Sequence, residues 1–262
     1  RVQTRRGTME ELAVYPSLRG RTVLITGGAS GIGACLVTQF CRQGARVSFL
    51  DVQVEAAEAL CGRLAEEGAA PRFLRCDLRD VELLQAAVAE VAALDGDIAV
   101  LVNNAANDDR HRIEEVSAAY WDERIAVNLR HQFFAAQAVI PGMRRRGGGS
   151  IVNFGSMTWH ASEGGYPAYA TCKAAVEGLT RSLARDLGPD RIRVNTVIPG
   201  WVMTERQVRL WLDAEGEAEI ARRQCLKDKL QPEDVARMAL FLAADDSRMC
   251  TAQNFIVDAG WI

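Results

Sequence analysis

Residues 22–33 read Thr-Val-Leu-Ile-Thr-Gly-Gly-Ala-Ser-Gly-Ile-Gly. The short apolar run over Thr22–Thr26 predicts a strand, and the periodic stretch over Gly31–Gln43 predicts a helix. Between them, glycines at 27, 31 and 33 permit a tight turn and let the backbone approach a pyrophosphate. The helix N-terminus beyond offers unpaired N–H groups and the positive end of its dipole to that anion. The spacing is G-x-x-x-G-x-G, not G-x-G-x-x-G. The loop gains its specificity from its place, directly after a strand and directly before a helix.

Arg46–Leu50 reads as a second strand, closed by Asp51, 18 residues after Gly33. An acidic residue there accepts hydrogen bonds from an adenosine ribose and repels a 2′-phosphate. Neither Val52 nor Ser30 supplies a compensating positive charge, so the expected cofactor is NAD rather than NADP. Farther on, helical patterns over Val54–Glu67 and Val81–Ala93 alternate with strands at Arg72–Arg75 and Ile98–Val102. A long helix is expected from Ser117, its cap, to Arg146, interrupted near Pro141. Strand Ser150–Phe154, helix Tyr166–Leu187 and strand Arg193–Val197 follow. A helical excursion at Glu205–Arg223, helix Pro232–Leu242 and strand Asn254–Val257 complete the chain. Such alternation implies an α/β fold: a single-domain, Rossmann-type doubly wound parallel sheet of about seven strands with helices on both faces. That domain spans residues 17–262, with a substrate-loop excursion at about 201–225. Residues 1–16 read as an N-terminal extension, largely disordered; Met9 reads as the natural start and residues 1–8 as added or upstream sequence.

The 262 residues are 48% hydrophobic, enough for one substantial core. A net charge of −3, from 31 basic and 34 acidic side chains, gives no polyanion-binding surface, and no nucleic-acid partner is expected. Arg144-Arg145-Arg146, followed by three glycines, reads as a solvated helix end. No apolar run nears the ~20 residues of a membrane span, and no secretory segment stands near the start, so a cytoplasmic location is expected. The seven cysteines and three histidines lack metal-ligand spacing, and no metal is expected.

Tyr169 and Lys173 lie four residues apart, so on a helix they share a face. A phenol with a pKa near ~10 is a poor base at neutral pH, and an adjacent ammonium favours its phenolate. A shift of about three units takes roughly 4 kcal/mol, much of which one lysine in a partly dry site can supply.

Taken together, Thr26–Gly33, Asn103-Asn104-Ala105, Asn128, Ser156, Tyr169, Lys173 and Pro199-Gly200 resemble the short-chain dehydrogenase/reductase family, over about Ser17 to Ile262. The resemblance implies that Tyr169 is the general base in oxidation. It implies that Lys173 lowers the tyrosine pKa and holds the nicotinamide ribose, and that Ser156 binds the reacting oxygen. Asn128 then anchors a water that relays protons from Lys173. Gly27, Ser30, Gly31, Ile32 and Gly33 form the pyrophosphate cradle, and Asp51 meets the adenosine ribose. Asp77 and Leu78 meet the adenine edge, and Asn104 lies beside the ribose and nicotinamide. Val202 and Thr204, after Pro199, bind the carboxamide. A homotetramer is implied as well. The chain departs from the family at Ala106, where a glycine is usual; alanine is tolerated there if φ is negative.

Tyr15-Pro16-Ser17-Leu18, Asn107–His111, Tyr120–Arg124, Asn128–His131, Trp159-His160 and Asp258–Trp261 further resemble the bacterial NAD-dependent D-xylose 1-dehydrogenases and related sugar dehydrogenases. This implies oxidation of an aldopyranose at C1 to the aldonolactone. Asn107, Trp159, His160 and Trp201 flank the catalytic motifs and are the expected substrate contacts, with Ser156 and Tyr169. The apolar stretch from Met203 to Leu212 keeps other substrates open: a different pentose, a deoxyhexose, a sugar acid, or a hydroxyacyl or steroid-like alcohol. A non-catalytic NAD-binding regulator would not need Asn128, Ser156, Tyr169 and Lys173 together.

Overall fold

The computed structural model describes residues 13–262. Seven strands form one fully parallel sheet. They are β1 (Thr22–Thr26), β2 (Arg46–Asp51), β3 (Arg72–Arg75), β4 (Val100–Asn103), β5 (Gly149–Phe154), β6 (Ile192–Pro199) and β7 (Asn254–Val257). Their order across the sheet is β3-β2-β1-β4-β5-β6-β7. Strand succession reverses direction between β1 and β4, which opens a crevice at the carboxyl ends of the strands. Thr26 is in register with both Leu50 and Asn103, and Asn103 with Asn153, so the loops bearing the candidate site leave the sheet at one level.

Helices α1 (Gly31–Arg42), α2 (Val54–Glu66), α3 (Val81–Asp95), α4 (Ala118–Ile125), α5 (His131–Arg145) and α6 (Pro167–Leu187) connect the strands, followed by α7 (Glu205–Trp211), α8 (Ala214–Arg223) and α9 (Pro232–Ala243). Alternation along the strands divides the core. Val23 and Ile25 of β1 pack with Leu36 and Phe40 of α1, Leu60 of α2 and Leu240 of α9. Leu24, between them in sequence, packs on the other face with Val88 of α3, Val139 of α5 and Leu183 of α6. Because both faces are covered, β1 is buried along its whole length and reads as one apolar run.

Two expectations need correction. Pro141 does not interrupt its helix but sits inside α5. Proline removes the bond to the carbonyl of Gln137, but both residues are exposed, so that carbonyl is open to solvent, while Val139 and Met143 anchor the buried face. The interruption lies earlier, at a π-helical turn over Ala126–Arg130. There the Asn128 amide Nδ2 donates to the carbonyl of Arg124 at 3.0 Å, competing with the regular helix bonds. The helical excursion expected at Glu205–Arg223 is two helices: α7 ends at Trp211, and Asp213 starts α8 by accepting from Gly216 N at 2.8 Å.

Met9 and residues 1–8 lie outside the described residues, as does most of the expected extension. Within the remainder of it, Tyr15 N donates to Gln43 Oε1 at 2.8 Å, and Gln43 Nε2 donates to Ala13 O at 3.0 Å. Among the described residues, no helix is long and apolar enough to cross a membrane, and no group of three acidic, His or Cys side chains forms a metal site.

Candidate active site

At the crevice, the glycine loop is built so that only glycine fits. Gly27 has φ +68° and Gly31 φ +55°, and a Cβ on Gly33 would stand 1.7 Å from the Gly27 carbonyl oxygen. Asn104, at the end of β4, braces this loop: its Nδ2 donates to Thr26 O at 3.1 Å and Gly27 O at 2.9 Å. Ser30 precedes α1 without capping it, so the first N–H groups of the helix are open to an anion. Asp51 holds the loop from β2, its Oδ2 accepting from Ala29 N at 2.9 Å and its Oδ1 from Val52 N at 2.7 Å. Thr204 lies against Gly31, 3.3 Å from where a Cβ would be, and caps α7 by accepting from Gln207 N at 3.2 Å. Val202 and Leu78 are buried nearby in sequence to Thr204 and Asp77, and Arg79 holds the Asp77 carboxyl below its usual range. A turn that rejects side chains, in front of an uncapped helix and beside a carboxylate, fits a nicotinamide dinucleotide.

Tyr169 and Lys173 sit one turn apart on α6, with Lys173 Nζ 5.5 Å from the Tyr169 ring centroid. Lys173 is 1% exposed and donates to the Phe154 carbonyl at 2.8 Å; burial lowers its pKa to about 8. Ser156, just past β5, faces the Tyr169 phenol and favours its ionised form, and its Oγ accepts from Thr158 N at 3.3 Å. The Asn128 amide bonds protein on both sides: its Oδ1 accepts from Asn107 N at 2.8 Å while Nδ2 donates to Arg124 O. It thereby ties the loop after β4 to the centre of the helix pair.

Burial, and then the Asp108 carboxylate, raise the Tyr169 pKa above its ordinary value; Ser156 and the Arg110 guanidinium oppose them without prevailing. Lys173 gives one of its three N–H donors to Phe154 O, and burial lowers its own pKa.

The expected substrate contacts divide. Asn107 lies in the site through Asn128. Trp159 and His160 turn elsewhere: Trp159 Nε1 donates to Glu177 Oε1 at 2.9 Å, and His160 Nε2 lies 2.8 Å from the same oxygen. Glu177 is eight residues beyond Tyr169 on α6, about 12 Å along the axis. Trp201 packs with Met157, Ile220 and Trp261 under α8, its indole N–H buried without a partner. Ala106 keeps a negative φ, so its methyl brings no backbone strain.

The structure adds residues to which the motifs assigned no role. Asp108 reaches up to α7, accepting from Gln207 Nε2 at 2.7 Å, and Arg206 pairs with Asp109 at 2.6 Å. Arg110 lies 3.9 Å over the Tyr166 ring, which meets Tyr169 edge-on at 5.7 Å. His131 is wholly buried, and burial with the Lys173 charge lowers its pKa to about 3. The available signal was the density of charge in Asp108-Asp109-Arg110, directly after the strand that ends in Asn103.

Comparison with known proteins agrees with this geometry. A family model described as enoyl-(acyl carrier protein) reductase matches residues 27–262. D-xylose 1-dehydrogenase of Caulobacter vibrioides is 54% identical over 249 residues, covering 95% of this chain and 98% of that protein. A Rhizobium meliloti protein named as a probable galactose dehydrogenase is 53% identical, covering 94% and 96%. A solved short-chain type dehydrogenase/reductase from Mycobacterium ulcerans superposes with a TM-score of 0.89 at 28% identity, covering 94% and 90%. Matches that run over nearly the whole chain, in sequence and in structure, give one conclusion: this chain belongs to the short-chain dehydrogenase/reductase family and is an oxidoreductase that acts on CH–OH groups with a nicotinamide dinucleotide.

Proposed function

We propose that this protein oxidises an aldopyranose at C1 to the aldonolactone, with NAD. The observation that carries the reading is the gathering of Ser156, Tyr169 and Lys173 beneath the polar loop Asn107–Arg110, which suits a substrate with several hydroxyls. The sugar-oxidising names of two relatives above 50% identity support it.

In this mechanism Ser156 Oγ holds the C1 oxygen and stabilises the charge that develops there. Tyr169 takes the C1 hydroxyl proton as general base. Lys173 stands beside the phenol to stabilise its ionised form and to hold the nicotinamide ribose, and Asn128 anchors the water through which the proton leaves. The nicotinamide ring, when bound, supplies the acceptor for the hydrogen leaving C1 with its electron pair. Asp51 favours NAD, because a 2′-phosphate beside its carboxylate would be repelled. Val202 and Thr204 hold the carboxamide, and Asp77 with Leu78 meets the adenine. We place the protein in the cytoplasm as a homotetramer, assembled through the α4–α6 faces that expose Trp121 and Phe133 and through the β7 edge that exposes Ile256.

The test is a substrate panel of aldoses, sugar acids, hydroxyacyl thioesters and hydroxysteroids, followed by reduced-nicotinamide absorbance with NAD and with NADP. Turnover of aldoses with a higher kcat/KM for NAD is expected. Turnover confined to hydroxyacyl or steroid substrates overturns the sugar reading, and a clear NADP preference overturns the role of Asp51.

A further inference from the structure

We infer that Asp108 is a specificity-determining residue, whose carboxylate accepts a hydrogen bond from the substrate hydroxyl on the carbon next to the one being oxidised. This rests on the sugar reading above and deepens it. The loop carrying Asp108 is pinned at both ends to the catalytic floor. Asn107 N donates to Asn128 Oδ1 at 2.8 Å, His111 N to Gly165 O at 2.8 Å, and Ala168 N to His111 Nε2 at 3.4 Å. Asp108 is thereby held between Asn128 and the residue that precedes Tyr169.

Its carboxylate is three-quarters buried, with 25% side-chain exposure, yet only partly satisfied. Oδ2 accepts from Gln207 Nε2 at 2.7 Å, whereas Oδ1 stands 3.4 Å from the Arg206 guanidinium. Arg206 makes its short contact, 2.6 Å, with Asp109. An ionised carboxylate offers about four acceptor directions and no donor, so most of this one's capacity is open. It does not help the chemistry directly, since a negative charge beside Tyr169 opposes ionisation of the phenol. What an acceptor-only group needs is a donor, and a hydroxyl flanking the reacting carbon of a sugar is one. For oxidation at C1 that hydroxyl is on C2.

The rival role is a latch, in which Asp108 only docks α7 through Gln207 and Arg206. A substrate-deletion cycle separates the two. kcat/KM is measured for wild type, Asp108→Asn and Asp108→Ala with D-xylose and D-galactose and with the 2-deoxy analogue of each, and melting curves check that the variants fold. The hydroxyl-holding role predicts that the 2-hydroxy to 2-deoxy ratio of kcat/KM falls on the order of tenfold or more in both variants. A ratio within about twofold of wild type, with both sugars slowed alike, overturns the assignment in favour of the latch. Absence of turnover of any aldose by the wild type overturns the sugar reading, and the assignment with it.

Discussion

Lys173 and Asn128, in the floor of the site, are almost without exposure, and their bonds run to backbone groups: Phe154 O, Asn107 N and Arg124 O. Arg206 and Gln207, in the lid above, reach Asp108 and Asp109 through side-chain contacts alone, and the Arg206 side chain is 45% exposed. A side chain bonded to backbone in a dry interior is fixed by the fold itself. An ion pair between two flexible, partly exposed side chains contributes about 0–1 kcal/mol and breaks readily. The floor accordingly holds one proton-transfer geometry, whereas the lid formed by α7 is held over the loop by weaker contacts. The two can be pulled apart by experiment.

The largest separation is expected at Tyr169. Tyr169→Phe removes the base from the floor and keeps the ring, so turnover should fall on the order of a thousandfold while dinucleotide affinity, measured by titration, stays close to that of wild type. Turnover at the wild-type rate would remove Tyr169 from the mechanism. Next in size is the pH dependence. Since burial and Asp108 raise the phenol pKa, the base form is scarce below it and grows about tenfold per pH unit. The kcat/KM for oxidation should therefore climb through the neutral range and fall off as pH is lowered. A flat profile between about pH 6 and 8 would mean that the phenol is already ionised there. The smallest effect belongs to the lid. Arg206→Ala should change kcat/KM by no more than about fivefold, mostly in KM, and leave the slope of the pH profile unaltered. A hundredfold loss, or a shifted profile, would make the lid part of the catalytic floor.

The same division marks what the sequence disclosed. The strands were legible because each is short, apolar and closed by turn residues; Thr22–Thr26, Arg72–Arg75 and Asn254–Val257 stand where the pattern puts them. The floor was legible because its residues are fixed by local spacing, Tyr169 and Lys173 above all. The π-turn at Ala126–Arg130 was not, because Pro141 is the stronger breaker by propensity and only tertiary packing overrides it. Trp159 and His160 flank Ser156 in sequence, but adjacency does not fix the direction of a side chain, and Glu177, 18 and 17 residues away, draws both aside. Asp108 was hidden for the opposite reason. Its neighbours Gln207 and Arg206 are almost a hundred residues distant, and a pair of aspartates in a loop reads as solvated until the lid is folded over it.

The central claim is that the bond broken is C1–H of an aldopyranose, with Tyr169 taking the hydroxyl proton. An aldose deuterated at C1 tests it most directly, by mass spectrometry of both products after incubation with NAD. The account predicts that deuterium appears in the reduced nicotinamide and is absent from an aldonolactone product, and that Tyr169→Phe forms both about a thousandfold more slowly. Deuterium retained in the sugar product, with the cofactor reduced by unlabelled hydrogen, would contradict it.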